Sequence, residues 1–226
     1  MSPISFKDSF LDLALYISVM FLIREIYFSN VGFLTNGLFW SLSTLVVASW
    51  RMKVRGVSWK DLGLHKPESY KKTLLISGGI LAVTLVSIVV FHLINDQIPF
   101  LVAPESSPED SGSKFGDLKG NWLLFFSIIP LVLVQSFLEE LLDRGFLMNW
   151  FEQLFSKTSF ATILAVLVQA VIFGFRHSHD LSERSITVAL IGLTMGTAYM
   201  VFGRNLWPLI IAHGVLNTIS MVGRVN

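Results

Sequence analysis

Three short constellations stand out against an apolar background: Glu139-Glu140-Leu141-Leu142-Asp143-Arg144-Gly145, Phe173-Gly174-Phe175-Arg176-His177, and His213-Gly214-Val215-Leu216-Asn217. Carboxylate, imidazole and carboxamide are the groups that activate a water and offer donors to a developing oxyanion. An ionisable side chain at membrane depth costs roughly 2.5 to 3.5 kcal/mol on insertion scales, so such residues face a cavity or a partner and mark a site. Glu140 and Arg144 are four residues apart, share one helical face and suit an ion pair. That pairing leaves Glu139, on an adjacent face, free for chemistry. His213 and Asn217 have the same spacing and can enter one cavity from one helix. The set Glu139, His177 and His213 would also suit a catalytic zinc with an open position, so a divalent metal stays open beside a metal-free mechanism. The lack of a His-Glu-x-x-His run on one helix favours the metal-free version.

Each constellation also has a bland reading. Paired acids followed by Arg at the end of an apolar run can be a helix emerging among headgroups, and a terminal His can be interfacial. An amide such as that of Asn217 can be glue between membrane helices. His213 and Asn217 lie near the middle of the uncharged run 206–222, where an interfacial role is hard to sustain. His92 and His65 read as interfacial. His179, about 200° round a helix from His177, reads as solvent-facing. Gly192 and Gly196 form a G-x-x-x-G pair and, with Gly203 and Gly214, read as positions of close helix approach.

The elements that carry these residues are membrane helices. Of 226 residues 53% are hydrophobic and 15% charged, and the mean hydropathy is +0.63, which excludes an ordinary water-soluble domain. Apolar runs at 10–23, 31–50, 73–94, 121–138, 158–175, 185–203 and 206–222 approach or reach the ~20 residues that cross a hydrocarbon core. The fold class expected is all-α: a polytopic transmembrane bundle of seven spans, with room for an eighth in the first 50 residues. It forms a single integral membrane domain over 1–226 whose motif-bearing core is about 121–222. No A-x-A cleavage site follows the first run, which reads as a retained helix. Loop 51–72 holds seven Lys/Arg (Arg51, Lys53, Arg55, Lys60, Lys66, Lys71, Lys72) against Asp61 and Glu68, and reads as cytoplasmic. Loop 95–120 holds Asp96, Glu105, Glu109, Asp110 and Asp117 against Lys114 and Lys119, which puts it on the opposite side and the N-terminus inside. A net charge of +1 without a basic block argues against nucleic acid as a partner, and zero cysteines exclude disulfides, thiolate metal sites and a cysteine nucleophile. Alternating loops set Glu139 and His177 at opposite membrane faces if both spans are upright. The fourth helix is therefore expected to continue past Glu140, and the cavity to lie away from the bilayer surface.

Glu-Glu-x-x-x-Arg, then Phe-x-x-x-His about thirty residues on, then His-x-x-x-Asn about forty after that, resembles the CAAX prenyl protease and bacteriocin-processing family of intramembrane endopeptidases, also called Abi or CPBP. The match is carried by Glu139, Glu140, Arg144, Phe173, His177, His213 and Asn217, with support from Arg144-Gly145, Leu206-Trp207 and the loop stretch Asp61-Leu62-Gly63-Leu64. It covers about residues 61–217. Two positions depart: Asp143 stands where many members have an aromatic residue, and Arg176 where an apolar one is usual. Both are expected to add charge near the site and to bear on substrate preference.

The resemblance implies peptide-bond hydrolysis inside a helical membrane cavity. It gives Glu139 as general base, His177 as the residue that orients or activates the same water, and His213 and Asn217 as donors to the oxyanion. Glu140 with Arg144 supplies supporting electrostatics, and Phe173 packs beside or borders the substrate. The family has been viewed both as metal-dependent and as metal-free glutamic proteases. Partners are a peptide or protein substrate, lipidated in CAAX processing, and the lipid bilayer. The short chain looks prokaryotic, which places the protein in a prokaryotic cell membrane, where members cleave peptides or act in bacteriocin self-protection. Two other readings compete: a non-catalytic scaffold or bacteriocin-immunity protein on the same fold, and a small transporter using the buried acids and imidazoles as a proton relay. No inverted repeat favours the transporter.

Overall fold

The computed structural model describes residues 4–97, 115–180 and 182–226. The expected membership of Glu105, Glu109, Asp110 and Lys114 in an acidic loop lies outside the described residues. No β-strand occurs among those described.

Ser5 accepts from the Asp8 amide at 3.1 Å and opens α1 (Phe6–Leu22). A 3-10 turn at Ile23–Glu25 leads to α2 (Phe33–Val54). Ser69 caps α3 (Tyr70–Ile94) in the same way. Asn121 accepts from the Leu124 amide at 3.0 Å at the start of α4 (Trp122–Glu139), which tolerates Pro130 in its interior. The chain then stays helical through a π segment, Glu140–Leu147, into α5 (Met148–Leu154). Next come α6 (Ala161–Ser178), α7 (Glu183–Val201) and α8 (Trp207–Val225), the last with Pro208 in its first turn, where no helical N–H is lost.

Among the described residues, five helices are long and apolar enough to cross a membrane: α3, the continuous Trp122–Leu154, α6, α7 and α8. The other two expected spans are present as helices, but α1 has only 17 residues and α2 carries a more polar sequence. The run Trp122–Leu154 spans 33 residues, about 50 Å at ~1.5 Å per residue against a hydrocarbon core of about 30 Å. Glu139 closes the first 18 residues of that run and lies near its middle, where the sequence alone suggested a helix end. The fourth helix does continue past Glu140.

Two kinds of contact set the packing. Helices α6 and α7 approach backbone to backbone: a Cβ on Gly192 would lie 3.2 Å from the Ala170 Cα, and one on Gly196 3.2 Å from Gln169. A Cβ on Gly174 would overlap the Ser185 carbonyl outright. Elsewhere polar ties do the work. Asp12, fully buried on α1, accepts from Arg51 (2.7 Å), Arg55 (2.9 Å) and the Trp150 indole (3.1 Å), joining α1, α2 and α5. In the loop after α2, the Ser58 hydroxyl and amide hold the Asp61 carboxylate below its ordinary pKa range. Gly63, with φ +97, turns the chain so closely under the Arg204 carbonyl that a Cβ would overlap it. The Gly63 carbonyl accepts from the Leu206 amide at 3.1 Å, and the Tyr199 hydroxyl donates to the Leu62 carbonyl at 2.8 Å.

Candidate active site

The π segment changes what one stretch of helix can present. Every residue from Glu140 to Leu147 is buried, four of them charged or glycine, because neighbouring helices enclose the segment on all sides. Its widened turns hold Glu140, Asp143 and Arg144 inside the bundle, in keeping with the frequent location of π turns at functional sites. Asn149 ties the segment down by donating to the Arg144 (3.0 Å) and Gly145 (2.7 Å) carbonyls.

Glu140 and Arg144 form the expected pair at 3.0 Å, both side chains wholly buried. The same Glu140 Oε1 lies 2.6 Å from Nδ1 of His213, reached across from α8. Glu139 stands one residue back. Its Oε1 lies 3.8 Å from Nε2 of His177, near the end of α6, and its Oε2 lies 3.6 Å from Nε2 of His213. Three helices therefore bring carboxylate and two imidazoles together.

Hydrogen bonding places a proton on the δ nitrogen of both rings. Nδ1 of His177 lies 2.6 Å from the Phe173 carbonyl, which can only accept, so Nδ1 carries the proton. Nδ1 of His213 donates to Glu140, which also accepts from Arg144. His213 lies between the Glu140 and Glu139 carboxylates, whereas the His177 ring, with its proton on Nδ1, turns its ε lone pair toward the Glu139 carboxylate, itself an acceptor. A water, with two O–H groups to give, satisfies such a pair of facing acceptors. Access is from the His177 side, where the side chain keeps 25% of its exposure against 11% for Glu139 and 5% for His213.

Phe173 is the packing hub of the site and is almost completely buried. Its ring lies 4.4 Å from the Arg144 guanidinium carbon and 5.3 Å from that of Arg176, and it meets the His177 and His213 rings edge-on. Asn217 stands one turn beyond His213 on α8 and gives one N–H to Ser136 Oγ at 2.9 Å, one turn before Glu140 on α4.

The two departures from the family pattern meet each other. Arg176 Nη2 lies 2.7 Å from Asp143 Oδ2, both buried, so the expected extra charge beside the site is corrected to an internal ion pair whose charges cancel. Helix α1 and the 3-10 turn after it cover this pair: Met20 Sδ lies 3.6 Å from Arg176 Nη1, and Arg24 in the turn donates to the Arg176 carbonyl at 2.5 Å. Sequence reasoning also missed Gln135, which donates to Glu139 Oε1 at 2.9 Å. A polar side chain four residues before Glu139, in an otherwise apolar span, was the available signal. The remaining histidines lie elsewhere. His92 pairs with Glu183 at 3.1 Å on the exposed surface, and exposed His179 ends α6 in the left-handed region.

A tetrahedral metal needs its donors about 2 Å from one point. Here the two ε nitrogens face different oxygens of Glu139, and among the described residues no three His, Asp or Glu side chains form a group that could hold a metal ion. The arrangement does not fit a metal, and no step below runs through one.

Fold and site together define a polytopic helical membrane protein with a Glu/His centre set inside its bundle. Residues 121–219 match the family described as type II CAAX prenyl endopeptidase Rce1-like, in agreement with the three motifs, and all seven motif residues lie in the matched segment. The match covers 99 of the 226 residues, and the family it points to is one of proteases. No curated protein and no solved structure matches the chain significantly.

Proposed function

We propose that the protein is an intramembrane endopeptidase that hydrolyses peptide bonds of membrane-associated or lipidated substrates through a water activated by Glu139. The observation that carries this reading is the convergence of the Glu139 carboxylate with the ε nitrogens of His177 and His213, at 3.8 and 3.6 Å, from three separate helices. Water between Glu139 Oε1 and His177 Nε2 points one O–H at each. As its oxygen attacks the scissile carbonyl, Glu139 takes one proton, and it later gives that proton to the departing amine. The products are a carboxylic acid and an amine, and Glu139 returns to its starting state.

The developing oxyanion needs donors. Asn217 spends one N–H on Ser136 and keeps the other for this role. His213, held between the Glu140 carboxylate at Nδ1 and Glu139 at Nε2, donates from Nε2 as an imidazolium that Glu140 supports, with Arg144 holding Glu140 in place. Phe173 keeps both imidazoles in register by packing. The charge of loop 51–72 supports a cytoplasmic N-terminus in an integral membrane protein, which we propose for a prokaryotic cell membrane.

The test is cleavage of a peptide library by the purified protein in lipid, with Glu139→Gln and His213→Ala in parallel, each with and without chelator. Loss of the general base should lower kcat by about 10²- to 10⁴-fold. Chelator should leave the wild-type rate unchanged. Variants that cleave at the wild-type rate would sink the site assignment and bring a non-catalytic scaffold forward. Chelator-sensitive cleavage would sink the metal-free mechanism.

A further inference from the structure

Gln135 lies one helical turn before Glu139 on α4. Its amide nitrogen spends both protons: one goes to Glu139 Oε1 at 2.9 Å and the other to Ser41 Oγ on α2 at 2.8 Å. Its carbonyl oxygen is buried, accepts no hydrogen bond, and faces Gly37 of α2, 4.0 Å from where a Cβ there would stand. Only this orientation of the amide works, because a reversed one would press a lone pair against the Glu139 carboxylate. A buried carbonyl without a donor costs about 1 to 3 kcal/mol, so the amide is held in place against a penalty by its two N–H bonds.

The terminal torsion of a glutamate is broad, and a carboxylate turns easily unless something holds it. Among the described residues Gln135 is the hydrogen-bond donor that reaches Glu139. The oxygen it holds is the one that faces His177. We infer that Gln135, anchored on α2 by Ser41, is the positioning residue that fixes the plane of the Glu139 carboxylate, with Oε1 toward His177 and Oε2 toward His213. This rests on the hydrolase reading above, and it makes α2, which lies outside the matched segment, part of the machinery.

The test compares wild type with Gln135→Met, Gln135→Glu, Ser41→Ala and the double variant Gln135→Met/Ser41→Ala, with Glu139→Gln as reference. Misplacing a reacting group by about 1 Å can cost about 100-fold. Gln135→Met should therefore lower kcat by about 10- to 100-fold with KM within about twofold. Gln135→Glu, which turns an acceptor on the carboxylate, should fall further, and Ser41→Ala less. Because Ser41 acts through Gln135, the double variant should be no slower than Gln135→Met. Wild-type kcat in Gln135→Met, or additive losses in the double variant, would overturn the inference. An infrared measurement separates this from the hydrolase reading. The carboxylate stretching band that disappears in Glu139→Gln should shift in Gln135→Met whether or not a peptide is cleaved. If no substrate is cleaved but the band shifts, the hydrolase reading falls and the positioning role stands; an unmoved band overturns the role itself.

Discussion

Asp143 and Arg176 pose the sharpest energetic question at the residue scale. Desolvating two charges costs several kcal/mol per ion, and their attraction returns this only with good geometry and satisfied remaining groups. Here the contact is short, at 2.7 Å, yet Asp143 Oδ1 and Arg176 Nε have no hydrogen-bond partner. Removing one member should be far worse than removing both. Asp143→Leu and Arg176→Leu are each expected to lose roughly 3 to 5 kcal/mol, and the double variant to recover most of it. Thermal unfolding in detergent reads this directly, and single variants that melt with the wild type would contradict it. The motif residues themselves were legible as residues: Glu140 and Arg144 pair as their spacing suggested, whereas alternating loops put Glu139 and His177 at opposite faces, and their meeting depends on the length of the fourth helix. The Asp143 pairing was not legible, because its partner is 33 positions away and the meeting depends on the burial of the π segment. Ser41 was hidden for the same reason, at 94 positions from Gln135.

At the scale of elements, the α6–α7 contact sets where His177 can stand. Gly174 sits one turn before His177, and a methyl there would overlap the Ser185 carbonyl and lie 2.7 Å from the Ala189 Cβ. Gly174→Ala should force the helices apart at a cost of about 1 to 3 kcal/mol and lower cleavage more than stability, since the displacement passes to the imidazole. Gly223→Ala on α8, where nothing lies within 4 Å, should melt no lower than the wild type. Unfolding and cleavage measured on both variants check the contrast, and equal behaviour would remove the packing argument. Apolar runs made the helices legible to within a few residues at their ends. The true length of the fourth was not, because Glu139 to Arg144 reads as a polar terminus when only one strip of sequence is seen. Burial by helices remote in the chain makes it an interior segment.

For the whole molecule, orientation in the membrane follows from loop charge. The chain has no cysteine, so single cysteines report topology without a background. Lys66→Cys should react with a membrane-impermeant maleimide only from the cytoplasmic face, and Lys119→Cys only from the opposite face. The reverse pattern would invert the proposed orientation. The bundle is also more than its matched segment: α1 and the turn after it cover the Asp143–Arg176 pair through Met20 and Arg24, and α2 reaches Glu139 through Ser41 and Gln135.

The two imidazoles, each with its δ nitrogen already committed, carry a consequence for timing. The His177 ring, its one proton given to the Phe173 carbonyl, has nothing to offer an amide carbonyl, which is an acceptor too. On the proposed mechanism that ring can only accept from the water, and donors to the carbonyl come from Asn217 and His213. Those donors serve best as negative charge builds on that oxygen, so the tightest hold falls on the state being converted.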